Sequence, residues 1–430
     1  MVLLQKFDVA IIGGGILGTV LSYWISSLTK KKVCLIEKEP EVAMHASSRN
    51  TGVVHTPFYL DPQKKKKLAK AALLSHQLWQ AFAKKHDVPW MDTGTIEIAL
   101  EESQHKTLEK YSKWAKQNGV AETDMTLLDS NQILQREPHV KCYSGLYCKK
   151  DASTNYGLLT QKLKNESQKN GTDFLFSHKI QEIQKNKLVF SNGESIEFDF
   201  AINCAGGHSL EIAKQFGLAH EYSDLHFRGE YWKITDRHAG LVGTNIYTVA
   251  RFPNFPFLDP HWIKRSDGTT EIGPNAVPVL GPETYSGVGS PIKSIKKLGQ
   301  ILSGNSKKLL LNKEFLSLVS KEWKSSLSKT MMVNRVKKFI PEIKPEYFTT
   351  RGTAGIRTPV ITKNGEFLSD MLEIESDNSL HIINYNSPGA TGAPAYSAFL
   401  VQHLSEQGII NLTKTNSANL WNYDSIVDFL

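Results

Sequence analysis

The sequence has few cysteines and lacks a long apolar run. Only four cysteines occur in 430 residues, with no CxxC pair. This argues against a disulfide scaffold or a structural zinc site and favours reduced thiols inside a cell. No apolar run approaches the roughly 20 residues needed to span a bilayer. Asp8 and three glycines interrupt the apolar N-terminus, which has no small-residue cleavage site, so we expect no signal peptide and a cytoplasmic location.

The excess of positive over negative side chains is also small. The chain has 51 Lys and Arg against 43 Asp and Glu, a formal net charge of +8, with 40% hydrophobic and 10% aromatic residues. This composition excludes an acidic disordered protein and permits an anionic partner. The length predicts two domains, or one large α/β unit with an inserted second layer.

The positive charge is concentrated in one segment, 291–338. It contains twelve Lys and Arg but only two acidic residues, Glu314 and Glu322, so the rest of the chain is almost neutral. Interspersed leucines and isoleucines predict helical hairpins with a basic outer face. That face is either an ordinary solvated surface or a surface for anionic lipid headgroups. We expect no nucleic-acid partner, because interleaved aromatic and Arg residues are scarce here.

A glycine-rich turn near the N-terminus is the strongest pattern that is present. An apolar run predicts a buried strand, and Gly13, Gly15 and Gly18 follow it in the pattern GxGxxG before an apolar helix. The next predicted strand ends at Glu37, 24 residues after Gly13. The glycines allow a tight turn, approach of a pyrophosphate and close helix packing, and the acid accepts ribose hydroxyls. This unit predicts a dinucleotide site.

Later segments favour FAD over a nicotinamide cofactor, as does the stretch directly after Glu37. Residues 199–207 read as a buried strand that ends in a small-residue turn, similar to the second FAD fingerprint of flavoproteins with two dinucleotide folds. Near the C-terminus, a strand at 382–384 leads through a small-residue loop into an apolar helix. The N-terminus of that helix suits the anionic end of a reduced flavin. Each later segment alone is equally compatible with an ordinary strand-to-helix turn.

Motifs spread over most of the chain carry a family resemblance. They are HASSRNTGVVH at 45–55, FRGEY at 227–231, NIY at 245–247, FPFL at 255–258, GPNAV at 273–277, KFIP at 338–341, GIR at 355–357 and SPGAT at 387–391. On these motifs the sequence resembles the FAD-dependent oxidoreductases of the D-amino-acid oxidase superfamily, within the branch of L-2-hydroxyglutarate dehydrogenases and oxidases. Only the first and last motifs lie near cofactor segments, so the resemblance extends beyond FAD binding.

The resemblance implies an α/β fold, α+β overall. A Rossmann-like FAD-binding domain would form a three-layer sandwich, and a substrate domain would be built on a mixed or antiparallel sheet. The implied FAD domain comprises 1–85, 145–215 and 345–430, and the substrate domain comprises 86–144 and 216–344 with a basic helical excursion at 291–338. Alternating apolar residues at 94–100 and 231–234 fit strands of the second sheet.

Non-covalent FAD is the implied cofactor, and no metal is expected. His45 lies where some members of the superfamily attach FAD covalently, which this branch generally does not. The residues expected at the cofactor are Gly13, Gly15, Gly18, Glu37, Lys38, His45, Ser47, Asn50, Thr51, Gly52, Ala205, Gly206, Arg357, Ser387, Pro388, Gly389, Ala390 and Thr391.

The implied reaction is oxidation of a small 2-hydroxy acid to the 2-oxo acid, with hydride transfer to flavin N5. Arg357 is the leading candidate for holding the substrate carboxylate, because a guanidinium can bind it through two hydrogen bonds. The alternative for Arg357 is a surface ion pair. Arg228 is either a second substrate anchor or a structural ion-pair partner of Glu230.

His55 is the candidate general base. Its position matches a histidine of the family, and its ordinary pKa suits proton transfer near neutral pH. It is otherwise a substrate ligand or a satisfied core histidine. Tyr247 and Asn275 are candidates for lining the pocket by hydrogen bonding, and His261 is a weaker one.

The sequence departs from the branch near the presumed pocket. PVLGPE at 278–283 replaces a loop with Lys and Arg, which removes partners for a distal carboxylate, and Arg251 is either their replacement or an exposed loop residue. An amino-acid or secondary-amine substrate, or a non-catalytic assembly role, therefore stays open. The electron acceptor is oxygen or a quinone. Binding of 291–338 to an anionic membrane would favour quinone and a peripheral position on its inner face.

Overall fold

The computed structural model describes residues 5–252, 255, 259–287, 295, 297–301, 305–413 and 420–429. The described strands are β1 Gln5–Ile12, β2 Val33–Ile36, β3 Val53–Val54, β4 Trp90–Met91, β5 Thr95–Ala99, β6 Met125–Asp129, β7 Ser144–Cys148, β8 Ala152–Thr154, β9 Asp173–Leu175, β10 Ile180–Gln184, β11 Lys187–Phe190, β12 Ser195–Asn203, β13 Ser223–Asp224, β14 His226–Gly229, β15 Trp232–Ile234, β16 Asn245–Thr248, β17 His261–Lys264, β18 Thr270–Gly273, β19 Val277–Val279, β20 Phe348–Arg351, β21 Gly355–Arg357, β22 Val360–Ile361, β23 Leu372–Ser376 and β24 Ser379–Ile383.

Ten α-helices have both ends in the described part of the chain, and residues 297–301 are also helical. The ten helices are α1 Ile16–Leu28, α2 Lys66–Lys85, α3 Glu102–Gln117, α4 Ser130–Arg136, α5 Tyr156–Lys169, α6 Ser209–Gln215, α7 Lys313–Leu327, α8 Lys329–Val336, α9 Gly389–Glu406 and α10 Tyr423–Val427.

The first sheet is built on five parallel strands in the order β9-β2-β1-β12-β24. Numbered by their order along the chain, they lie as 3-2-1-4-5, the order of a doubly wound nucleotide-binding fold. The hairpin β10–β11 pairs antiparallel with the first half of β12, and β23 pairs antiparallel with β24. Parallel strands align their carboxyl ends, so the residues that follow β1, β2, β12 and β24 meet at one edge.

Layers cover both faces of this sheet. On one face α1, α5 and α9 bury side chains such as Trp24, Leu163 and Phe399. On the other face, Phe7 of β1 packs in a cluster with Leu188 of the hairpin β10–β11 and with Ile212 of α6. The predicted Rossmann-like fold with three layers is therefore confirmed. The apolar, β-branched composition of β1 follows from burial on both sides.

The second sheet has the order β20-β15-β18-β17-β16-β5-β7-β6. All of its pairs are antiparallel except β16 with β5, so the predicted mixed sheet is confirmed. Ile96 and Ile98 of β5 face a buried cluster with Met332 and Val333 of α8. The intervening Glu97 projects to the opposite face, because successive strand residues alternate.

The domain boundaries stay a prediction, and the sheets suggest a refinement. The predicted boundary at 145 cuts through β7 and places most of it in the FAD domain, and the boundary at 345 places β20 there. Both strands pair within the second sheet. We propose boundaries after 148 and 351, which keep the two eight-stranded sheets intact.

The described part of the basic segment 291–338 is mostly helical. Outside the described residues lie 291–294, 296 and 302–304. Helices α7 and α8 form its second half. Several of its cations point inward: Lys297 pairs with Asp224 at 2.5 Å, and Arg335 pairs with Glu322 at 2.9 Å. No helix in the described residues is long and apolar enough to cross a membrane.

Candidate active site

The glycine-rich turn packs directly onto the end of β12. Gly13 has a φ of +110°, and a Cβ there would lie 2.6 Å from the Cys204 carbonyl oxygen. A Cβ on Gly18 would overlap the Gly13 carbonyl oxygen. Both positions therefore require glycine, which lets α1 begin against the ends of β1 and β12. This is the turn that the GxGxxG spacing predicted.

The segment 45–52 lines the start of α1. The N-cap of α1 is Gly15, which has no side chain to cap the helix, and the Ile16 N–H donates to Ser47 Oγ at 2.9 Å. Asn50 Oδ1 accepts the Gly52 N–H at 2.8 Å. Gly52 has a φ of +76°, and a Cβ there would lie 2.5 Å from a backbone oxygen of β8. Ser47, Asn50 and Gly52 thus shape the loop beside the helix N-terminus.

Glu37 is buried directly after β2. Its carboxylate accepts the Gly14 N–H at 2.7 Å and the Glu39 N–H at 2.9 Å. These hydrogen bonds fix the acid beside the glycine turn. A carboxylate held there has further lone pairs for ribose hydroxyls.

The second and third predicted cofactor segments reach the same edge of the sheet. The Ala205 N–H donates to Asn203 Oδ1 at 3.1 Å, and Gly206 has open space where a Cβ would stand. Helix α9 begins after Ser387 and the N-cap Pro388, which provides no side-chain cap. The Gly389 N–H donates to the Asn386 carbonyl at 2.7 Å, so the amides of Ala390 and Thr391 are the ones that an anion would meet.

Helix α9 also contacts the predicted base. The His55 N–H donates to Thr391 Oγ1 at 3.2 Å, and Trp79 Nε1 donates to the Ala390 carbonyl at 3.1 Å. Next to the helix start, the Tyr385 hydroxyl donates to the Gly389 carbonyl at 2.8 Å. The cofactor helix is therefore fixed against the segment that carries His55.

These residues fit FAD. The acid after β2, the start of α1 at Gly15 and the start of α9 supply the three recognition elements that a dinucleotide flavin needs. Gly15 lets a diphosphate approach the backbone, because the nearest atom to a Cβ there would be Ser47 Oγ at 3.2 Å. Glu37 and the small residues at Ala205 and Gly206 would hold the nucleotide end.

An ion-pair cluster that the sequence did not predict lies beside this site. Lys38 pairs with Glu39 and, at 2.5 Å, with Glu283. Glu283 also accepts from His208 Nε2 at 2.9 Å, which lowers the pKa of Glu283. His45 lies 3.0 Å from Glu39 Oε1. The Lys38 ammonium among these carboxylates makes the cluster an ion-pair network, although three of its side chains could otherwise meet at a metal.

The loop that departs from the branch thus packs over the cofactor turns. Its Glu283 contacts Lys38 after β2 and His208 after β12, and its Tyr285 hydroxyl lies 2.7 Å from His45 Nδ1. A Cβ on Gly207 would lie 2.9 Å from Pro282 Cβ. No sequence signal marks Glu283, because its partners lie far away along the chain.

His55 forms a buried pair with Asp151, a residue that sequence reasoning missed. His55 Nδ1 lies 3.2 Å from Asp151 Oδ2, and the Thr56 N–H donates to Asp151 Oδ1 at 2.7 Å. Burial opposes ionisation of Asp151, yet these hydrogen bonds hold its pKa below the usual value. The ionised carboxylate accepts a hydrogen bond from the His55 Nδ1–H, so Nε2 is left as the basic nitrogen.

Asp151 gave little signal in the sequence. It follows Lys149 and Lys150 in the turn between β7 and β8, where a single acid is an ordinary solvated residue. Its burial is complete only because β8 pairs with β3, the strand that precedes His55.

Aromatic residues enclose the His55 ring. Tyr59 and Tyr247 lie edge-on to it, with ring centroids 5.8 and 5.6 Å away. The Tyr247 hydroxyl is buried, which raises its pKa. His261 stacks near Tyr247 at 4.0 Å. Burial and nearby positive charges lower the pKa of His261 to about 3, so this imidazole is neutral.

Arg357 ends β21 on the same side of the fold. Its guanidinium acts electrostatically on Tyr59, Tyr231 and His261, and burial lowers its pKa. These shared neighbours place Arg357 close to the tyrosines that enclose His55. The structure therefore brings an arginine, a histidine–aspartate pair and tyrosines into one region of the fold.

Arg228 and Asn275 lie in a separate network around Glu230. Arg228 Nε donates to Glu230 Oε1 at 3.0 Å, and the Asn275 side chain donates to Glu230 Oε2 at 3.0 Å. Arg228 also donates to the carbonyls of Thr284 and Gly287. We therefore assign Arg228 to the structural alternative, the ion pair with Glu230, and Asn275 to the same network. Arg251 pairs with Asp259 at 3.0 Å at the surface.

Comparisons with known proteins agree with this geometry. The family described as FAD-dependent oxidoreductases matches residues 8–403. The L-2-hydroxyglutarate dehydrogenase of Caenorhabditis elegans mitochondria is 31% identical over 412 residues, covering 92% of this chain and 93% of that protein. The L-2-hydroxyglutarate dehydrogenase of Indibacter alkaliphilus is 30% identical over 401 residues, covering 90% and 96%.

Solved structures share the fold. The FAD-bound L-α-glycerophosphate oxidase of Mycoplasma pneumoniae superimposes with a TM-score of 0.74 at 20% identity, covering 97% of this chain and 98% of that one. Glycine oxidase from Geobacillus kaustophilus superimposes with a TM-score of 0.68 at 18% identity, covering 96% and 97%. The family model matches most of the length of the chain, and the cofactor edge and the enclosed histidine agree with that match. The chain therefore belongs to the FAD-dependent oxidoreductases.

Proposed function

We propose that this flavoenzyme oxidises a small 2-hydroxy acid of the L-2-hydroxyglutarate type to the 2-oxo acid. The observation that supports it is the buried His55–Asp151 pair inside an enclosure that also contains Arg357. A base and a carboxylate anchor are the two groups that this oxidation requires of the protein. The curated relatives that are named L-2-hydroxyglutarate dehydrogenases support the substrate class.

Each side chain has a separate task in this mechanism. Arg357 holds the substrate carboxylate and so orients the carbon that carries the hydroxyl. His55 Nε2 takes the hydroxyl proton, and Asp151 stabilises the imidazolium through Nδ1. Bound FAD supplies the acceptor for the hydride from that carbon. Tyr59 and Tyr247 exclude water from the enclosure.

The test is anaerobic reduction of the purified holoenzyme. L-2-hydroxyglutarate, L-lactate, glycerol 3-phosphate and several amino acids are mixed with it, and flavin bleaching is followed. We expect bleaching by L-2-hydroxyglutarate at a rate above that for any amine. Bleaching by amino acids alone would assign oxidation of a C–N bond instead. Absence of bleaching with every compound would indicate a non-catalytic assembly role.

We further propose that FAD is held without a covalent bond. His45 is engaged by Lys38 at 2.9 Å and by Tyr285 at 2.7 Å, contacts that account for both ring nitrogens. Acid precipitation should release all the yellow cofactor into the supernatant. Flavin that remains in the protein pellet would contradict this proposal.

The basic segment 291–338 supports a further proposal, binding to an anionic membrane with quinone as electron acceptor rather than oxygen. Its described surface combines exposed lysines, such as Lys313, Lys321 and Lys324, with exposed apolar side chains. Leu311 and Leu327 are 83% and 82% exposed. Apolar insertion and lysine attraction together favour anionic lipid.

Co-sedimentation with vesicles tests the membrane proposal. We expect binding to vesicles that contain phosphatidylserine at low salt, weakened at high salt and in a Leu311→Ser, Leu327→Ser variant. A Leu127→Ser variant is the matched control, since Leu127 is exposed but lies in β6 outside the basic segment. Absence of binding to anionic vesicles would leave a solvated surface.

A further inference from the structure

The substrate enclosure contains a carboxyl group that the proposed mechanism does not use. Glu97 lies in the middle of β5, where its Cα partners are Tyr247 of β16 and Leu146 of β7. Residues paired in this way project to the same face of a sheet. Glu97 therefore shares the face of Tyr247, whose ring lies 5.6 Å from that of His55. The side chain is only partly buried, so it keeps some accessible surface.

The surroundings of Glu97 are apolar and aromatic. Leu146 belongs to a buried cluster with Phe58, and Tyr111 packs against that cluster. Charge on Glu97 raises the pKa of both Tyr59 and Tyr111, which places the carboxyl close to these hydroxyls. No hydrogen bond or ion pair of Glu97 is found within the described ranges.

Ionising a partly buried carboxyl without a partner is costly, and Glu97 resists ionisation. Burial, and then the negative charge of Asp151, raise the pKa of Glu97 to about 8. Near neutral pH the group is therefore mostly a carboxylic acid, which can donate a hydrogen bond. Above pH 8 it becomes a second negative charge in the enclosure.

We propose that Glu97 is a specificity-determining residue that contacts the part of the substrate distal to the reacting carbon. The protonated form donates a hydrogen bond to a distal carboxylate or carbonyl oxygen, and the ionised form repels a distal carboxylate. The inference rests on the proposed oxidation of 2-hydroxy acids.

The groups that face Glu97 set its pH dependence. They come from four elements: Tyr247 on β16, Tyr111 on α3, Tyr59 in the loop after β3, and Asp151 before β8. The three tyrosines have raised pKa values, and the Asp151 pKa is lowered. Glu97 is thus the member of this group that titrates between pH 7 and 9.

The experiment compares two substrates of similar length in the holoenzyme. L-2-hydroxyglutarate has a distal carboxylate, and L-2-hydroxypentanoate ends in a methyl group. In the native enzyme we expect the ratio of their kcat/KM values to fall about tenfold between pH 6.5 and 9, carried by the KM of L-2-hydroxyglutarate. In Glu97→Gln the ratio should become independent of pH, because the amide donates a hydrogen bond at every pH.

Binding and a second variant complete the test. Glutarate, which lacks the reacting hydroxyl, should perturb the flavin absorbance with an affinity that falls above pH 8 in the native enzyme but not in Glu97→Gln. The Glu97→Ile variant should lose the preference for L-2-hydroxyglutarate over L-2-hydroxypentanoate at every pH. A native pH profile that persists in Glu97→Gln would overturn this assignment while leaving the proposed oxidation intact. Failure of both hydroxy acids to bleach the native flavin would overturn the proposed function and this inference together.

Discussion

His55 Nδ1 and Asp151 Oδ2 lie 3.2 Å apart, although 96 residues separate them in the sequence. The contact forms because β3, which precedes His55, pairs antiparallel with β8, which follows Asp151. It fixes the imidazole so that Nε2 carries the lone pair. The proposed proton transfer depends on this one pairing of two short strands.

Asp151→Asn should lower kcat about 10²–10⁴-fold while FAD stays bound, because the imidazolium loses its stabilising charge. His55→Gln should lose turnover to a similar or greater extent. Stopped-flow bleaching and the flavin absorbance of the purified variants measure the two effects separately. Loss of the yellow cofactor or unfolding in either variant would instead assign the pair a structural role.

Arg357→Met should raise KM and lower kcat for a 2-hydroxy acid, together about 10²-fold or more in kcat/KM, because the carboxylate loses a bidentate partner. Arg357→Lys should restore little, since an ammonium cannot reproduce the planar contact. Arg251→Met is the control, because Arg251 forms a partly exposed ion pair with Asp259. Equal kinetics of Arg357→Met and Arg251→Met would contradict the anchor role.

Arg228→Met should destabilise the fold rather than abolish chemistry. Arg228 is only 4% exposed, and its removal leaves Glu230 buried with Arg351 and Asn275 as partners. Breaking a buried pair from one side costs about 3–5 kcal/mol. Urea unfolding of the holoenzyme should show this loss, and the folded fraction should still bleach with substrate. Normal stability together with lost turnover would instead assign Arg228 a role in substrate binding.

The Glu283–His208 contact should stabilise bound FAD below about pH 9. Burial opposes the charged form of His208, but Glu211 and Glu283 raise its pKa to about 9. A raised histidine pKa contributes stability that is complete below about pH 6.5 and is lost as the pH rises through 9.

Glu283→Gln should therefore speed FAD release at pH 6.5, and its difference from the native protein should shrink by pH 10. Flavin fluorescence after dilution measures the rate. Glu109→Gln is a matched control, because Glu109 pairs with His105 within α3, which packs on the second sheet. A difference that is the same at both pH values would show that His208 does not control release.

Short-range patterns predicted the cofactor half of the site. Gly13, Gly18 and Glu37 act within one β-turn-α-β unit, and the steric needs of that turn can be read from spacing alone. The buried parallel strands were predicted for the same reason, since burial on both faces requires continuous apolar runs. The three layers were implied by the family resemblance.

The tertiary structure decided the rest. Asp151, Glu97 and Glu283 are isolated acids in the sequence, and each acquires its role from partners on distant segments. Arg228 looked equally suited to bind substrate or to pair with Glu230, and only the packed network around Glu230 separates these roles. By itself the sequence determined the cofactor turn, because that turn is local. The base partner, the distal carboxyl and the loop over the cofactor turns depend on which strands pair, so only the folded chain decides them.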